Sequence, residues 1–267
     1  MKLKFGVNLE AFYTELPFEE RFAAAKKDGF NYVEFWGWED KDLPKVKQIL
    51  ADNDLTLCNF NGDGPFSMCN PQTKEQYLEH LKRAVEAAKF MDLHTLGIHS
   101  DSLQEWPQYA VPLPEDYSYT MKICTCFDIL KTIAPWGEEA DITFVLEPLN
   151  TVKDHIGNFL EDTRTAAELG ILTGSDRIKV LYDAYHMYLN EGRIVESTQK
   201  YLDRIGYIHI ADAPGRHEPG TGAINYRRYF DFVAEAGYDG VITFELYPES
   251  STEKAVAAIK EVCGEHW

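Results

Sequence analysis

Four apolar runs in the second half of the chain each carry, at or near their end, a side chain able to bind a cation or move a proton. "TFVLEPL" (143–149) delivers Glu147 and "IKVLYD" (178–183) delivers Asp183. "YIHIAD" (207–212) delivers His209 and "VITFELY" (241–247) delivers Glu245. A carboxylate at the end of a run built for burial is costly unless a cation receives it. Any one of these acids alone reads as the partner of an arginine or as a helix cap. Three on neighbouring strand ends repel one another, and the only Lys or Arg within those runs is Lys179, near the opposite end. A divalent cation is the simplest compensation. Three oxygen donors and one imidazole suit Mn2+, Mg2+ or Co2+, and Zn2+ stays open.

That constellation suits removal of a proton alpha to a carbonyl, because a cation can stabilise the enediolate that develops. Glu147 and Glu245 are the candidate acid and base. If one glutamate moves the proton between neighbouring carbons, the outcome is aldose–ketose isomerisation. If one removes it and the other returns it to the opposite face, the outcome is epimerisation. Around them stand candidate substrate contacts. His186 follows Asp183 by three residues and reads as a substrate contact, a further metal ligand or a helix cap. His99 ends the run "TLGIHS" (95–100) and reads equally as a functional or as a satisfied interior histidine. Trp36, at the end of "YVEFWG" (32–37), offers an apolar wall for a carbon skeleton, and Trp38, Phe60 and Phe66 are weaker candidates for the same part. Other polar strand ends are Asn8, Glu34, Asn59, Asn61 and Asp212.

These residues need a scaffold that gathers strand ends. Eight strand-like runs, rich in β-branched and aromatic residues, lie at 4–8, 32–37, 55–60, 95–100, 143–149, 178–183, 207–212 and 241–247. Amphipathic helical segments alternate with them near 17–29, 42–53, 71–91, 115–134, 160–170, 191–203, 225–236 and 252–263. Such alternation predicts an α/β protein with a parallel sheet, and eight units in about 250 residues predict a closed (β/α)8 TIM barrel. No linker or change of composition interrupts residues 1–267, which are read as one domain. The long loops after the third, fourth and seventh strands fall on the C-terminal rim, where barrels place their chemistry.

The net charge of −18, from 26 basic and 44 acidic residues, argues against nucleic acid or an anionic membrane as a partner. The odd number of cysteines, five in 267 residues, predicts reduced thiols and a cytoplasmic protein. No apolar run reaches the ~20 residues of a membrane span, and "MKLKFGVNLE" lacks a secretory apolar segment. P-loop, dinucleotide-binding and nucleophile-elbow patterns are absent, which disfavours hydride transfer and serine hydrolysis.

The segments "LEPLNT" (146–151), "DAYHM" (183–187), "IHIADAPGRHEPGTGAINY" (208–226), "FELYP" (244–248) and "FEERFAAAKKDGFNYVEFW" (18–36) resemble the xylose-isomerase-like TIM-barrel superfamily of sugar isomerases and epimerases. Within it the chain looks most like the hydroxypyruvate isomerase family. The resemblance implies one divalent metal at the barrel mouth, held by Glu147, Asp183, His209 and Glu245. It implies a small sugar or hydroxy-keto acid as substrate. Arg216, in the "GR" step, is implied as a substrate anchor, the alternative being that it ties down its own loop. His217 and Glu218 read first as loop-building residues, and "PGTG" (219–222) as a turn and not a phosphate cradle. Ketose 3-epimerases of the superfamily carry His at the position of His209, and hydroxypyruvate isomerases often carry Gln. Lys153 stands where those epimerases have a substrate-binding Glu. Competing readings are a ketose 3-epimerase, a keto-sugar lyase using the same site, and a metallohydrolase resembling endonuclease IV, which needs extra histidines where this chain has Asn59. Barrels of this kind often assemble, so a homo-oligomer is an open expectation.

Overall fold

The computed structural model describes residues 2–104 and 109–267. Residues 105–108, part of the loop after the fourth strand, lie outside them. Eight parallel strands run in the order β3-β2-β1-β8-β7-β6-β5-β4. They are β1 (Lys4–Asn8), β2 (Tyr32–Glu34), β3 (Thr56–Asn59), β4 (Thr95–His99), β5 (Thr143–Glu147), β6 (Ile178–Asp183), β7 (Ile205–Ile210) and β8 (Val241–Phe244). The β3 and β4 edges meet just above β3, where Gly62 donates to the Gly97 carbonyl at 2.7 Å and Gly97 donates to that of Phe60 at 2.9 Å. A Cβ on Gly97 would lie 2.6 Å from Asn61 Oδ1, so that side chain would have to shift. The expected barrel is therefore present.

Helices cover the outside: α1 (Phe18–Lys27), α2 (Leu43–Asp52), α3 (Lys74–Phe90), α4 (Tyr119–Ala140), α5 (Thr163–Thr173), α6 (Ala184–Asn190), α7 (Ile194–Tyr201), α8 (Tyr226–Glu235) and α9 (Thr252–Cys263). Local chemistry explains their starts. Asp42, Ser118, Asp162, Asn225 and Ser251 each accept a backbone N–H of the first turn, as N-caps do. In α1, Glu19 and Glu20 begin the helix and Lys26 and Lys27 end it, complementing its dipole.

The boundaries differ from expectation in several places. The β2 ladder stops at Glu34 because the Trp36 amide turns aside to Glu10 Oε2 at 2.6 Å. The strand β7 begins at Ile205, two residues early, and β8 ends at Phe244, so Glu245 sits just past its strand. The α4 helix runs through Pro135 to Ala140, because Ile133, Ala134 and Gly137 are buried and packing outweighs the lost backbone bond. The short α6 was not expected; Asp183 itself caps it, accepting from Tyr185 and His186 amides at 2.7 and 3.1 Å.

Two cores result. A large one lies between strands and helices. A small one, of Cys58, Val145, Leu181 and Tyr207, fills the barrel interior. Side chains two apart on a strand share a face. Val145, Leu181, Tyr207 and Thr243 therefore form the layer beneath Glu147, Asp183, His209 and Glu245. All five cysteines are free thiols; Cys124 is exposed and Cys126 buried, so the two do face different ways. Among the described residues no helix is long and apolar enough to cross a membrane.

Candidate metal centre

Strand register brings the site together. His99 pairs with Glu147 across β4 and β5, and Asp183 with His209 across β6 and β7. Ligand atoms of Glu147, Asp183, His186 and Glu245 all lie within 4.8 Å of one another. His209 Nδ1 lies 3.7 Å from Glu147 Oε1 and 3.6 Å from Glu245 Oε2. The four ligand candidates thus meet at one end of the barrel, with His186 as a fifth member.

Glu147, Asp183 and His209 are each held by one atom and offer another, whereas Glu245 has both oxygens engaged. Glu147 Oε2 meets His99 Nε2 at 3.0 Å, and Asp63 carboxylate oxygens hold His99 Nδ1 at 3.1 and 3.2 Å. Asp183 spends Oδ1 on the α6 cap. His209 Nε2 faces Glu34 Oε1 at 3.0 Å, and Glu34 is itself held by Asn8 Nδ2 at 2.9 Å and the Tyr207 hydroxyl at 2.8 Å. Glu245 accepts from Trp36 Nε1 at 2.5 Å and from Arg216. What remains is diagnostic: Glu147 Oε1, Asp183 Oδ2 and His209 Nδ1 are buried with no hydrogen-bond partner. Buried polar atoms seldom stay unpaired. Three of them, two anionic oxygens and a ring nitrogen, fit a divalent cation. The cluster is a divalent-metal-binding site.

The electrostatics agree. Burial raises the Asp183 pKa to about 7, and the nearby Glu147 charge adds to the rise. Burial acts the same way on Glu147, but the nearby His209 ring and the hydrogen bond from His99 outweigh it and hold that carboxyl well below the usual range. For His209, burial disfavours the charged ring, yet the carboxylates of Glu34, Glu245 and Glu147 raise its pKa well above the ordinary value. His186 goes the other way: burial, then the charges of Arg216 and His155, keep it well below.

A cavity of about 140 Å3 opens onto this cluster, lined among others by Trp36, His99, His155, His186 and Arg216. Larger clefts exist, such as one of about 530 Å3 between α1 and α2. That one lacks a buried convergent donor set, so chemistry and not volume identifies the site. Trp36 and Arg216 reach the cavity as expected. Trp38 and Phe60 do not: they pack on each other, and on His80 and Phe35 respectively. His99 lines the cavity too and at the same time holds the Glu147 carboxylate. His217 Nδ1 bonds the Tyr247 carbonyl at 2.7 Å and Glu218 accepts the Glu249 amide at 2.9 Å, so both build the loop. Lys153 Nζ is tied to the Pro214 carbonyl at 2.6 Å. Gly220 and Gly222 donate their amides to Asp212 Oδ2, so "PGTG" is indeed a turn.

Sequence reasoning assigned no role to Asp63, Asn150, Asp154, His155 or Tyr185. Asp63 and His155 sit in loops without local pattern. Glu34 and Asn150 were visible, one at a strand end and one inside "LEPLNT", but their partners lie far away in the chain.

The model of the "Xylose isomerase-like TIM barrel" family matches residues 22–262, and the chain belongs to that family. Hydroxypyruvate isomerase of Escherichia coli (strain K12) is 31% identical over 258 residues, covering 94% of this chain and 96% of that protein. A 2-oxo-tetronate isomerase of Cupriavidus necator is 29% identical, covering 98% and 99%. Among solved structures, an AP endonuclease, family 2, of Brucella melitensis superposes with a TM-score of 0.86 at 26% identity, covering 96% and 97%. Family and metal cluster together define an isomerase or epimerase of a small sugar-like compound.

Proposed function

We propose that this protein is a hydroxypyruvate isomerase-like enzyme: a divalent-metal-dependent isomerase of a small hydroxy-keto acid. The single observation that carries this reading is the set of three unpartnered buried atoms, Glu147 Oε1, Asp183 Oδ2 and His209 Nδ1, facing Glu245 at the cavity floor. Glu147, Asp183, His209 and Glu245 would hold the ion, with Mn2+ or Mg2+ the best match to a mostly oxygen donor set. When bound, such an ion supplies Lewis acidity to adjacent carbonyl and hydroxyl oxygens of a substrate. In the isomerase, one glutamate of the pair Glu147 and Glu245 takes the substrate proton and returns it to the neighbouring carbon. His99, backed by Asp63, keeps Glu147 ionised and ready to accept it. Arg216 has a buried Nε without a partner and a planar fork suited to a carboxylate, which supports an acid as substrate. Trp36 walls the cavity. Free thiols throughout support a reducing, cytoplasmic setting.

An epimerase reading keeps the same residues but has one glutamate remove the proton and the other return it to the opposite face of the same carbon. A DNA-cleaving metallohydrolase is disfavoured by the net charge of −18 and by Asn59 at the β3 end. The deciding experiment loads metal-free protein with Mn2+ or Mg2+ and follows deuterium uptake from D2O into hydroxypyruvate, 2-oxo-tetronate and ketose panels, with abasic DNA alongside. Uptake with hydroxypyruvate or 2-oxo-tetronate is expected. Cleaved DNA with no exchange in any panel member would overturn the reading.

A further inference from the structure

His186 and His209 both turn a ring nitrogen toward the carboxylate cluster, and their remaining nitrogens meet opposite chemistry. Behind His209 stands Glu34, an acceptor, so His209 keeps a proton on Nε2 and turns Nδ1 toward Glu147 and Glu245. Behind His186 stands Asn150. The orientation of its carboxamide is set, because Oδ1 accepts the backbone amides of Lys153 and Asp154 at 3.0 and 3.1 Å. The Nδ2 group therefore reaches Asp154 Oδ2 at 3.0 Å and His186 Nδ1 at 2.6 Å. Exchanging the two ends would set N–H against N–H on one side and oxygen against carboxylate on the other. The Tyr185 hydroxyl, donating to the same Asp154 oxygen at 2.5 Å, braces the arrangement.

An amide NH2 donates and does not accept. His186 Nδ1 must then be the acceptor, which excludes a proton on it. The ring keeps its single proton on Nε2, which lies 3.4 Å from Asp183 Oδ2 and 3.9 Å from Glu147 Oε1. Proximity alone would count His186 among the ligands, but an N–H cannot bind a cation. We propose that Asn150 is a positioning residue that locks His186 as its Nε2–H tautomer, so that His186 donates a hydrogen bond to a substrate oxygen and is kept out of the metal's ligand set. This assignment rests on the metal-dependent isomerase reading above. Its logic is that of ligand histidines, whose exposed nitrogen is set by what the other nitrogen bonds.

The test is 15N NMR of histidine-labelled whole protein, metal-free and loaded with diamagnetic Mg2+. Wild type should show His186 protonated on Nε2 and bare on Nδ1 in both states. A bare or Mg2+-bound His186 Nε2 would overturn the proposal without any variant being made. The paired substitution N150D/D154N swaps acceptor and donor, preserving the link between the two positions while facing His186 with a carboxylate. The tautomer should then invert, with folding judged by circular dichroism and turnover of hydroxypyruvate reduced by about 10- to 100-fold. D154N alone leaves the Asn150 donor in place and should keep the wild-type tautomer. An unchanged tautomer in folded N150D/D154N protein would also sink the idea. Calorimetric titration with Mg2+ separates the two levels: failure of wild type to bind would refute the metal-enzyme reading, while the metal-free spectrum still decides the tautomer.

Discussion

Glu34 on β2 and His209 on β7 meet inside the barrel at 3.0 Å, and that contact leaves His209 Nδ1 without a hydrogen-bond partner, turned toward Glu147 and Glu245. A carboxylate behind a ligand imidazole fixes its tautomer and orientation. E34Q should weaken Mn2+ or Mg2+ binding by about 10- to 100-fold, measured by calorimetry. Unchanged affinity would show that His209 is not a ligand or does not need this support.

Glu147 and Glu245 hold their places through different partners, His99 and the Trp36–Arg216 pair respectively. Each glutamine variant should cut deuterium exchange into the substrate by at least about 100-fold, the low end of general acid–base effects. Full exchange in both variants would remove them from proton transfer.

Metal binding and protons compete at this site. Asp183, raised to about 7 mainly by burial, is protonated in the empty protein below that pH and must release its proton to bind a cation. His209, also raised, must do the same at Nδ1. The sign follows: affinity for Mg2+ rises with pH through about 7 and falls on acidification. Titrations in buffers of different ionisation enthalpy should show protons released on binding. At 100 times Kd the ion should add about 2.7 kcal/mol of stability, lost on adding a chelator and read by thermal denaturation.

The β3–β4 junction is closely packed at Gly97. G97A would set a Cβ 2.6 Å from Asn61 Oδ1, so the Asn61 side chain must move, at a cost near the low end of overpacking, about 1 kcal/mol. Urea unfolding should show that loss, together with weaker metal binding, because His99 and Glu147 sit on the adjoining strands. Native stability in this variant would mean that β3 and β4 can part without consequence.

Periodicity carries far in this chain. Apolar runs alternating with amphipathic segments yield eight strands, the closed barrel and its rim, because strand and helix patterns are local and β/α connectivity leaves few topologies. A carboxylate or histidine at the end of a buried run is equally visible, so Glu147, Asp183, His209 and Glu245 stand out from the sequence alone. Strand ends and the α6 turn were less legible, since the amide of Trp36 and the carboxylate of Asp183 choose partners by tertiary geometry. Which nitrogen or oxygen each residue turns to the cavity lay wholly outside the sequence. Glu34 and His209 are separated by most of the chain, as are Trp36 and Glu245, and only closure of the barrel brings them into contact. Residue type and spacing determined that a cation-binding rim exists. The fold decided which atoms face it, because a hydrogen bond made behind a side chain sets what remains free in front.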